Sequence, residues 1–127
     1  FEQVKQKFMG KQWLMILWSV DCPACFKEMA LIQKLKNNFG KLPVVFINAD
    51  DNDEVMIERA KILDGYRLDA LDNYYFIDGQ SQQSRYLIDP NWYGELPRSY
   101  FFDKNGKFYG KSGLIDEKLL KRWLLIQ

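Results

Sequence analysis

Histidine is absent from the 127 residues of this sequence. Without imidazole, the chain has no His-ligated metal site, no Ser-His or Cys-His nucleophile pair and no imidazole general base. Cysteine is scarce, since only Cys22 and Cys25 occur. A tetrahedral zinc site needs about four Cys or His ligands, so two cysteines cannot complete one within this chain. The two thiols therefore indicate either redox chemistry or a purely structural pair.

A surplus of charge is also missing, because 18 basic and 17 acidic side chains leave a formal net charge of +1. No global field favours nucleic acid or an anionic membrane, so we expect neither as a partner. The longest apolar runs, at 13–18 and 43–47, are about six residues long, far short of the roughly 20 that span a bilayer. We therefore expect no transmembrane helix and no membrane contact within this chain.

What the sequence does have is apolar surface: 47% of its residues are hydrophobic and 16% are aromatic. This composition excludes a disordered chain, and the length suits one core. We expect residues 1–127 to form a single domain and to act as a monomer. Since the chain begins at Phe1 rather than at a start methionine, we expect it to be a mature portion of a longer precursor.

Hydrophobic periodicity predicts strands and helices in alternation along the first half of the chain. The predicted elements are a strand at 13–18, a helix from Pro23 to a C-cap at Gly40 with Met29, Ile32, Leu35 and Phe39 on its apolar face, a strand at 43–48, and a helix at 55–63 closed at Gly65. This order favours a parallel α/β arrangement with right-handed crossovers.

The end of the sequence predicts a hairpin and a closing helix. Residues 99–102 and 107–109 flank a tight turn at 103–106, which is typical of antiparallel strands. Asp116 is a predicted N-cap, and the helix that follows packs through its apolar face. That face consists of Leu119, Leu120, Trp123 and Leu124.

Residues 66–96 lack strong periodicity, and we assign them only a short strand at 74–77, before Asp78 and Gly79, and a short helix at 80–88. Two groups of side chains nearby each have a functional and a structural interpretation. The aromatic residues Tyr86, Trp92 and Tyr93 form either a peptide-binding face or, more commonly for aromatics, part of the core. The acidic residues are Asp50, Asp51, Asp53 and Glu54. They lack the glycine and glutamate spacing of a calcium loop, so we interpret them as helix caps.

The two cysteines occupy a position suited to redox chemistry. Cys22 follows a predicted buried strand and stands at the first turn of a helix, where free N–H groups and the helix dipole favour a thiolate. Cys22 is therefore the predicted nucleophile. Cys25, one turn further along, is placed to attack a mixed disulfide on Cys22 and to release the reduced partner. Pro23 suits the first helical turn, where its missing N–H is not needed.

On these residues the sequence resembles the thioredoxin superfamily, and within it the TlpA/ResA-like thiol-disulfide oxidoreductases, over nearly the whole chain. Trp18, four residues before Cys22, and Glu28, three after Cys25, match residues that are common in those proteins. The run 95–103, followed by Gly106, resembles the family's cis-proline segment and the hairpin behind it.

The resemblance implies a thioredoxin-like α/β fold, with a central mixed β-sheet flanked by helices and an insertion before the cis-proline segment. It implies that Pro97 is a cis-proline facing the cysteines and that Leu96 offers its backbone to a substrate peptide. It also implies protein or peptide disulfide substrates, an upstream electron donor, no cofactor, and a periplasmic or otherwise extracytoplasmic location.

Three further residues are candidates for setting the cysteine pKa values: Asp21, Glu28 and Trp18. The two negative charges oppose a thiolate while the helix N-terminus favours it, so we expect a Cys22 pKa nearer to the roughly 7 of thioredoxin than to that of a strong oxidant. A reductase follows from that expectation. For Glu28 an exposed surface position is the commoner meaning, and Trp18 suits core packing equally well.

Other functions remain open at this point. The main alternative is a thioredoxin-like binding or scaffold module that keeps the motif without turnover. A peroxidase is disfavoured, since no Thr-x-x-Cys setting surrounds Cys22, and a copper chaperone is disfavoured by the missing histidine.

Overall fold

The computed structural model describes residues 1–51, 53–76 and 79–125, and its centre is a five-stranded sheet. The strands are β1 (Trp13–Trp18), β2 (Val44–Asn48), β3 (Asp72–Tyr75), β4 (Arg98–Phe102) and β5 (Phe108–Ser112). Their order across the sheet is β3-β2-β1-β4-β5. The β1–β2 and β2–β3 pairs are parallel, whereas β1–β4 and β4–β5 are antiparallel. The sheet is therefore mixed, which confirms the predicted fold class.

β1 is the central strand because it is apolar on both faces. All six of its residues are buried. Since side chains alternate across a strand, Leu14, Ile16 and Trp18 enter the core on one face, while the other three enter a second core on the opposite face. A strand buried on both faces needs helical cover on each side of the sheet.

Helices supply that cover. They are α1 (Glu2–Lys7), α2 (Pro23–Phe39), α3 (Met56–Gly65), α4 (Ser81–Ile88) and α5 (Glu117–Leu125), with a 3-10 turn at Asp53–Val55 before α3. On one face, the apolar side of α2 meets Leu120 and Leu124 of α5. On the other face, Val4 of α1 and Ile88 of α4 join a core that includes Trp92. Within the described ranges, no helix is long and apolar enough to span a membrane.

Most predicted elements match these bounds, and the departures have local causes. Helix α1 was not predicted. Phe39 is 54% exposed, so its predicted place in the core is wrong, because the buried residues of α2 end at Leu35. β3 begins and ends earlier than the predicted strand at 74–77, and Ile77 and Asp78 lie outside the described residues.

The acidic run does not cap α3 as predicted. The N-cap residue of α3 is Val55, and within the described residues no side-chain cap hydrogen bond forms there. Asp51 instead accepts a hydrogen bond from the Ser81 N–H at the start of α4, at 3.4 Å. Asp50 accepts hydrogen bonds from the loop that precedes Cys22. The side chain of Asp53 lies outside the described part of the chain.

Candidate active site

Cys22 and Cys25 are joined by a disulfide at the N-terminus of α2, with 5.2 Å between their Cα atoms. Cys22 is the N-cap residue and has an extended backbone, and Pro23 takes the first helical position. The Cys25 N–H donates to the Cys22 carbonyl at 3.0 Å and lies 3.1 Å from the Cys22 sulfur. A donor of the first helical turn therefore faces the sulfur predicted to become a thiolate.

The two sulfurs differ in access. Cys22 is half-buried, whereas Cys25 is 1% exposed and belongs to the larger apolar core. An incoming disulfide therefore has better access to Cys22 than to Cys25.

The loop before Cys22 is held by Asp50, which follows β2. Its carboxylate accepts hydrogen bonds from the Ser19 hydroxyl at 2.7 Å, the Val20 N–H at 3.0 Å and the Asn48 side-chain amide at 2.8 Å. The signal for this contact is topological, since parallel neighbouring strands end at the same edge of a sheet and place the loops after β1 and β2 together. Sequence reasoning assigned Asp50 to a helix cap and missed this role.

Asn48 extends this network into the core. Its side-chain oxygen accepts a hydrogen bond from Arg59 at 3.3 Å, and Asn48 itself is 1% exposed. Arg59 is 6% exposed, and its guanidinium lies 4.2 Å from the centre of the Tyr75 ring. The edge of the sheet below the cysteine loop is therefore tied to α3 and β3.

Glu28 is buried, with 1% of its surface exposed, so the expectation of an exposed surface glutamate is wrong. One oxygen, Oε1, accepts a hydrogen bond from the Ile115 N–H at 3.1 Å, and Oε2 has no partner within the described residues. Burial raises the pKa of Glu28 to about 7, although the Ile115 hydrogen bond and the charge of Lys111 act in the opposite direction. Glu28 lies one helical turn beyond Cys25 and therefore on the same side of α2.

The other two candidate modulators differ from Glu28 in their surroundings. Trp18 is 1% exposed and packs in the same core as Cys25. Asp21 is exposed, and its backbone N–H donates to the Ser19 hydroxyl oxygen at 3.2 Å. Water therefore screens the Asp21 charge. Their influence on the cysteine pKa values stays a prediction.

The Leu96–Pro97 peptide bond is cis. β4 begins at the next residue, and Arg98 pairs with Leu17 of β1. The cis peptide therefore lies at the end of β1 from which the cysteine loop departs. Leu96 is partly buried and touches both apolar cores, while the Pro97 carbonyl accepts a hydrogen bond from the Gly113 N–H at 2.8 Å.

A polar network that the sequence did not indicate adjoins this segment. Arg98 Nη2 lies 3.2 Å from Oδ2 of Asp89, and the Tyr100 hydroxyl donates to the same oxygen at 3.0 Å. Burial raises the pKa of Tyr100 to about 12, so the phenol stays protonated at neutral pH and remains a donor. Asp89 comes from the residues after α4 for which sequence periodicity was weakest.

The three aromatic residues of this region divide between the two interpretations. Trp92 is 5% exposed, and its Nε1–H donates to the Glu95 carbonyl at 2.9 Å, so it is a core residue. Tyr86 and Tyr93 are 68% and 91% exposed. A peptide-binding role for these two residues stays a prediction.

Two-electron exchange between thiols and disulfides is the chemistry open to this arrangement, since the paired sulfurs differ in access and a titrating carboxyl lies one turn away. Within residues 1–51, 53–76 and 79–125, no group of three or more Cys, His, Asp or Glu is arranged to hold a metal ion.

The sequence matches no protein-family model and no curated protein. Solved structures do match. DsbF of MTB, in mixed oxidised and reduced forms, has a TM-score of 0.69 and 17% identity, over 92% of this chain and 81% of that chain. The thioredoxin domain of a thiol-disulfide oxidoreductase from Bacteroides vulgatus has a TM-score of 0.69 and 20% identity, over 93% of this chain and 83% of that chain. A secreted Mycobacterium tuberculosis disulfide oxidoreductase has a TM-score of 0.65 and 15% identity, over 91% of this chain and 81% of that chain. At these identities the likeness establishes a thioredoxin-like fold.

Proposed function

We propose that this protein is a thiol-disulfide oxidoreductase that reduces disulfides in proteins or peptides. The observation that carries the proposal is the Cys22–Cys25 disulfide at the N-terminus of α2, with Cys22 half-buried and Cys25 buried. The structural neighbours described as disulfide oxidoreductases support it. The proposed cycle needs no cofactor, because two thiols supply both electrons.

In the first step of the proposed reaction, the reduced protein attacks through Cys22. Its thiolate forms a bond to one sulfur of the substrate disulfide, and the other substrate sulfur leaves as a thiolate that takes a proton. The N–H of Cys25, directed at the Cys22 sulfur, and the helix N-terminus stabilise the attacking anion.

In the second step, Cys25 loses its proton and attacks Cys22. The mixed disulfide breaks, the second substrate sulfur leaves as a thiolate, and the Cys22–Cys25 disulfide forms. Glu28 is the proposed acceptor of the Cys25 proton, because its carboxyl is buried, has an unpartnered oxygen and has a pKa of about 7. A group with that pKa exchanges protons readily at neutral pH. Asp21 and Trp18 remain proposed modulators of the same thiols.

The substrate backbone is proposed to lie along Leu96 and Pro97. Within the described residues, the backbone N–H and C=O of Leu96 make no hydrogen bond, so both are free to pair with an extended peptide. Strand addition of this kind uses main-chain hydrogen bonds for affinity and leaves side chains to set specificity.

An upstream dithiol donor has to return two electrons to the Cys22–Cys25 disulfide after each turnover. We propose an extracytoplasmic setting, which the secreted neighbour supports, and a monomer as the working form. The reductase direction is tested by equilibration with a glutathione buffer. A potential near the roughly −270 mV of thioredoxin is expected, and one near the roughly −120 mV of a strong oxidase would contradict it.

Trapping with the reduced Cys25→Ser variant tests the proposed cycle. Without the resolving thiol, the mixed disulfide on Cys22 should persist after incubation with a folded protein that contains one accessible disulfide. Non-reducing electrophoresis detects the adduct, and mass spectrometry of its peptides locates the bond.

Cys22→Ser is the matched control, since it retains one thiol at the same helix end. We expect an adduct through Cys22 in the first variant and none in the second. Equal adduct yields from the two variants would reject the assigned order of attack. Absence of any adduct, with substrate left oxidised by the wild type, would favour the binding-module alternative.

A further inference from the structure

Arg98 begins β4 directly after the cis peptide, and only 15% of its side chain is exposed. Its guanidinium reaches three parts of the chain. Nη2 pairs with Asp89 beyond α4, Nη1 donates to the Ser112 hydroxyl at the end of β5 at 3.0 Å, and the same nitrogen lies 3.8 Å from the carboxylate of Glu95. A single planar fork therefore joins the α4 segment (residues 79–97) to the edge of the sheet.

Asp89 is the fixed end of this network. Its side chain is 8% exposed. Besides Arg98 and Tyr100, which bind Oδ2, it accepts a hydrogen bond on Oδ1 from the Asn91 N–H at 3.0 Å. These donors hold the buried carboxylate in one position.

Hydrogen bonds hold the residues on either side of Leu96, and one of them shares Ser112 with Arg98. The Ser112 hydroxyl donates to the Glu95 carboxylate at 2.7 Å, and the Glu95 carbonyl accepts from Trp92. After Leu96, the Pro97 carbonyl accepts from Gly113. The backbone is thus held before and after Leu96, whose own N–H and C=O make no hydrogen bond within the described residues.

Gly110 is the second observation on Arg98, because the missing Cβ atom at Gly110 leaves the space that the Arg98 guanidinium occupies. It lies opposite Tyr100 on β5, and a Cβ atom there would come 2.5 Å from Arg98 Nη2 and 3.2 Å from the Tyr100 ring. Since the φ angle of Gly110 is not among the positive ones, its backbone does not require glycine. A side chain at this position would instead displace the end of Arg98.

We propose that Asp89 and Arg98 form a clamp that holds the Glu95–Pro97 segment in its peptide-binding conformation, and so sets the affinity for protein disulfides without setting the chemistry at Cys22. The inference rests on the proposed function. Arg98 is a positioning residue, because its guanidinium is engaged by Asp89 and Ser112 rather than free to meet a substrate. Preorganising a binding segment raises affinity because less conformational entropy is lost on binding.

The experiment compares two substrates in Arg98→Gln. Insulin presents an extended peptide beside its disulfides, whereas hydroxyethyl disulfide presents none. We expect the KM for insulin to rise about tenfold, equivalent to about 1.4 kcal/mol, while its kcat, the rate with hydroxyethyl disulfide and the reduction potential stay within twofold. Amide hydrogen exchange should become faster at Asn91, whose N–H donates to Asp89 Oδ1, and at Gly113, whose N–H donates to the Pro97 carbonyl.

Two further variants keep the test informative. Asp89→Asn retains the shape of the carboxylate and removes its charge, so it should raise the KM in the same way if Arg98→Gln does not fold. Arg98→Lys keeps the charge but cannot reach Asp89 and Ser112 together, so it should give an intermediate KM. Arg122→Gln, on the exposed side of α5, is the matched control.

The outcomes separate the clamp from the proposed function. If the wild type reduces neither substrate through Cys22, the proposed function fails and the clamp fails with it. If the wild type is active but a folded Arg98→Gln keeps its KM for insulin and its hydrogen exchange, the clamp alone is rejected. Equal slowing with both substrates would also reject it, since general damage and not peptide positioning would then be the cause.

Discussion

The two sides of the candidate site are built in different ways. On the cysteine side, the chemistry lies within one short segment, in which β1 ends, Cys22 caps α2 and Glu28 follows one turn after Cys25. On the proline side, the Leu96–Pro97 segment depends on charged and polar partners from α4, β4 and β5.

This difference indicates a division of labour. Changes on the cysteine side should alter rates, proton transfer and their pH dependence, because the reacting sulfurs and the titrating carboxyl lie there. Changes on the proline side should alter substrate affinity. Variants on each side, and one outside both, test that division.

The largest effect concerns stability and pH on the cysteine side. Because the pKa of Glu28 is about 7 when folded, against 4.5 as its ordinary value, the folded state holds this proton more tightly than the unfolded state. Stability should therefore fall as pH rises from about 4.5 to about 7, by about 3 kcal/mol in total. Urea unfolding of the oxidised protein measures it.

Glu28→Gln removes this titration, so the difference in unfolding free energy between wild type and variant should change across that pH range and stay constant above it. Glu58→Gln, exposed on α3, should follow the wild type. Parallel curves for wild type and Glu28→Gln would show that Glu28 ionises as easily in the folded protein as in the unfolded chain.

The second prediction concerns the rate of the resolving step. If Glu28 accepts the Cys25 proton, Glu28→Gln should slow release of the mixed disulfide by about 100-fold at pH 7, at the lower end of general acid-base effects. The KM for a protein substrate should hardly change. Stopped-flow measurement of single turnovers separates attack from resolution, and a rise in KM at constant rate would assign Glu28 to substrate binding instead.

The burial of Glu28 shows where sequence reasoning reaches its limit. Cys22, Cys25, α2 and the β4–β5 hairpin follow from neighbouring residues, because helix caps, periodicity and tight turns are local signals. Glu28 is buried, and its carboxylate accepts a hydrogen bond from the Ile115 N–H, 87 positions later in the chain. No periodicity in α2 distinguishes that glutamate from an exposed one.

The same limit explains the two missed carboxylates. Asp50 bonds to Ser19 and Val20 across about 30 positions, and that contact exists only because β1 and β2 are parallel neighbours. Asp89 meets Arg98 across nine positions, but only after the α4 segment has folded onto the sheet. Acidic residues in loops have many possible partners, so composition alone could not choose these.

The third prediction tests the loop before Cys22. Asp50→Ala removes the acceptor of three hydrogen bonds and should reduce the unfolding free energy by about 2 kcal/mol. It should also expose Cys25 of the reduced protein to alkylation, because Val20 of the released loop belongs to the same apolar core as Cys25. Asp69→Ala, exposed and remote from that loop, is the control. Unchanged alkylation in a destabilised Asp50→Ala would confine Asp50 to a structural role.

The smallest effect is expected away from both sides of the site. Lys34 of α2 and Glu117 of α5 form an ion pair at 2.9 Å, with side chains 60% and 35% exposed. Because water screens such pairs, Lys34→Gln should change stability by less than about 0.5 kcal/mol. Thermal unfolding measures it, and turnover should match the wild type. A larger loss would mean that contacts between α2 and α5 help to place the cysteines.

The central claim is that Cys22 performs disulfide exchange. The most direct test measures the rate at which dithiothreitol reduces insulin, monitored by the turbidity of the released chains. Wild type and Cys22→Ser are compared at equal concentration. The account predicts strong acceleration by the wild type and none by Cys22→Ser. Acceleration that survives in Cys22→Ser would contradict it.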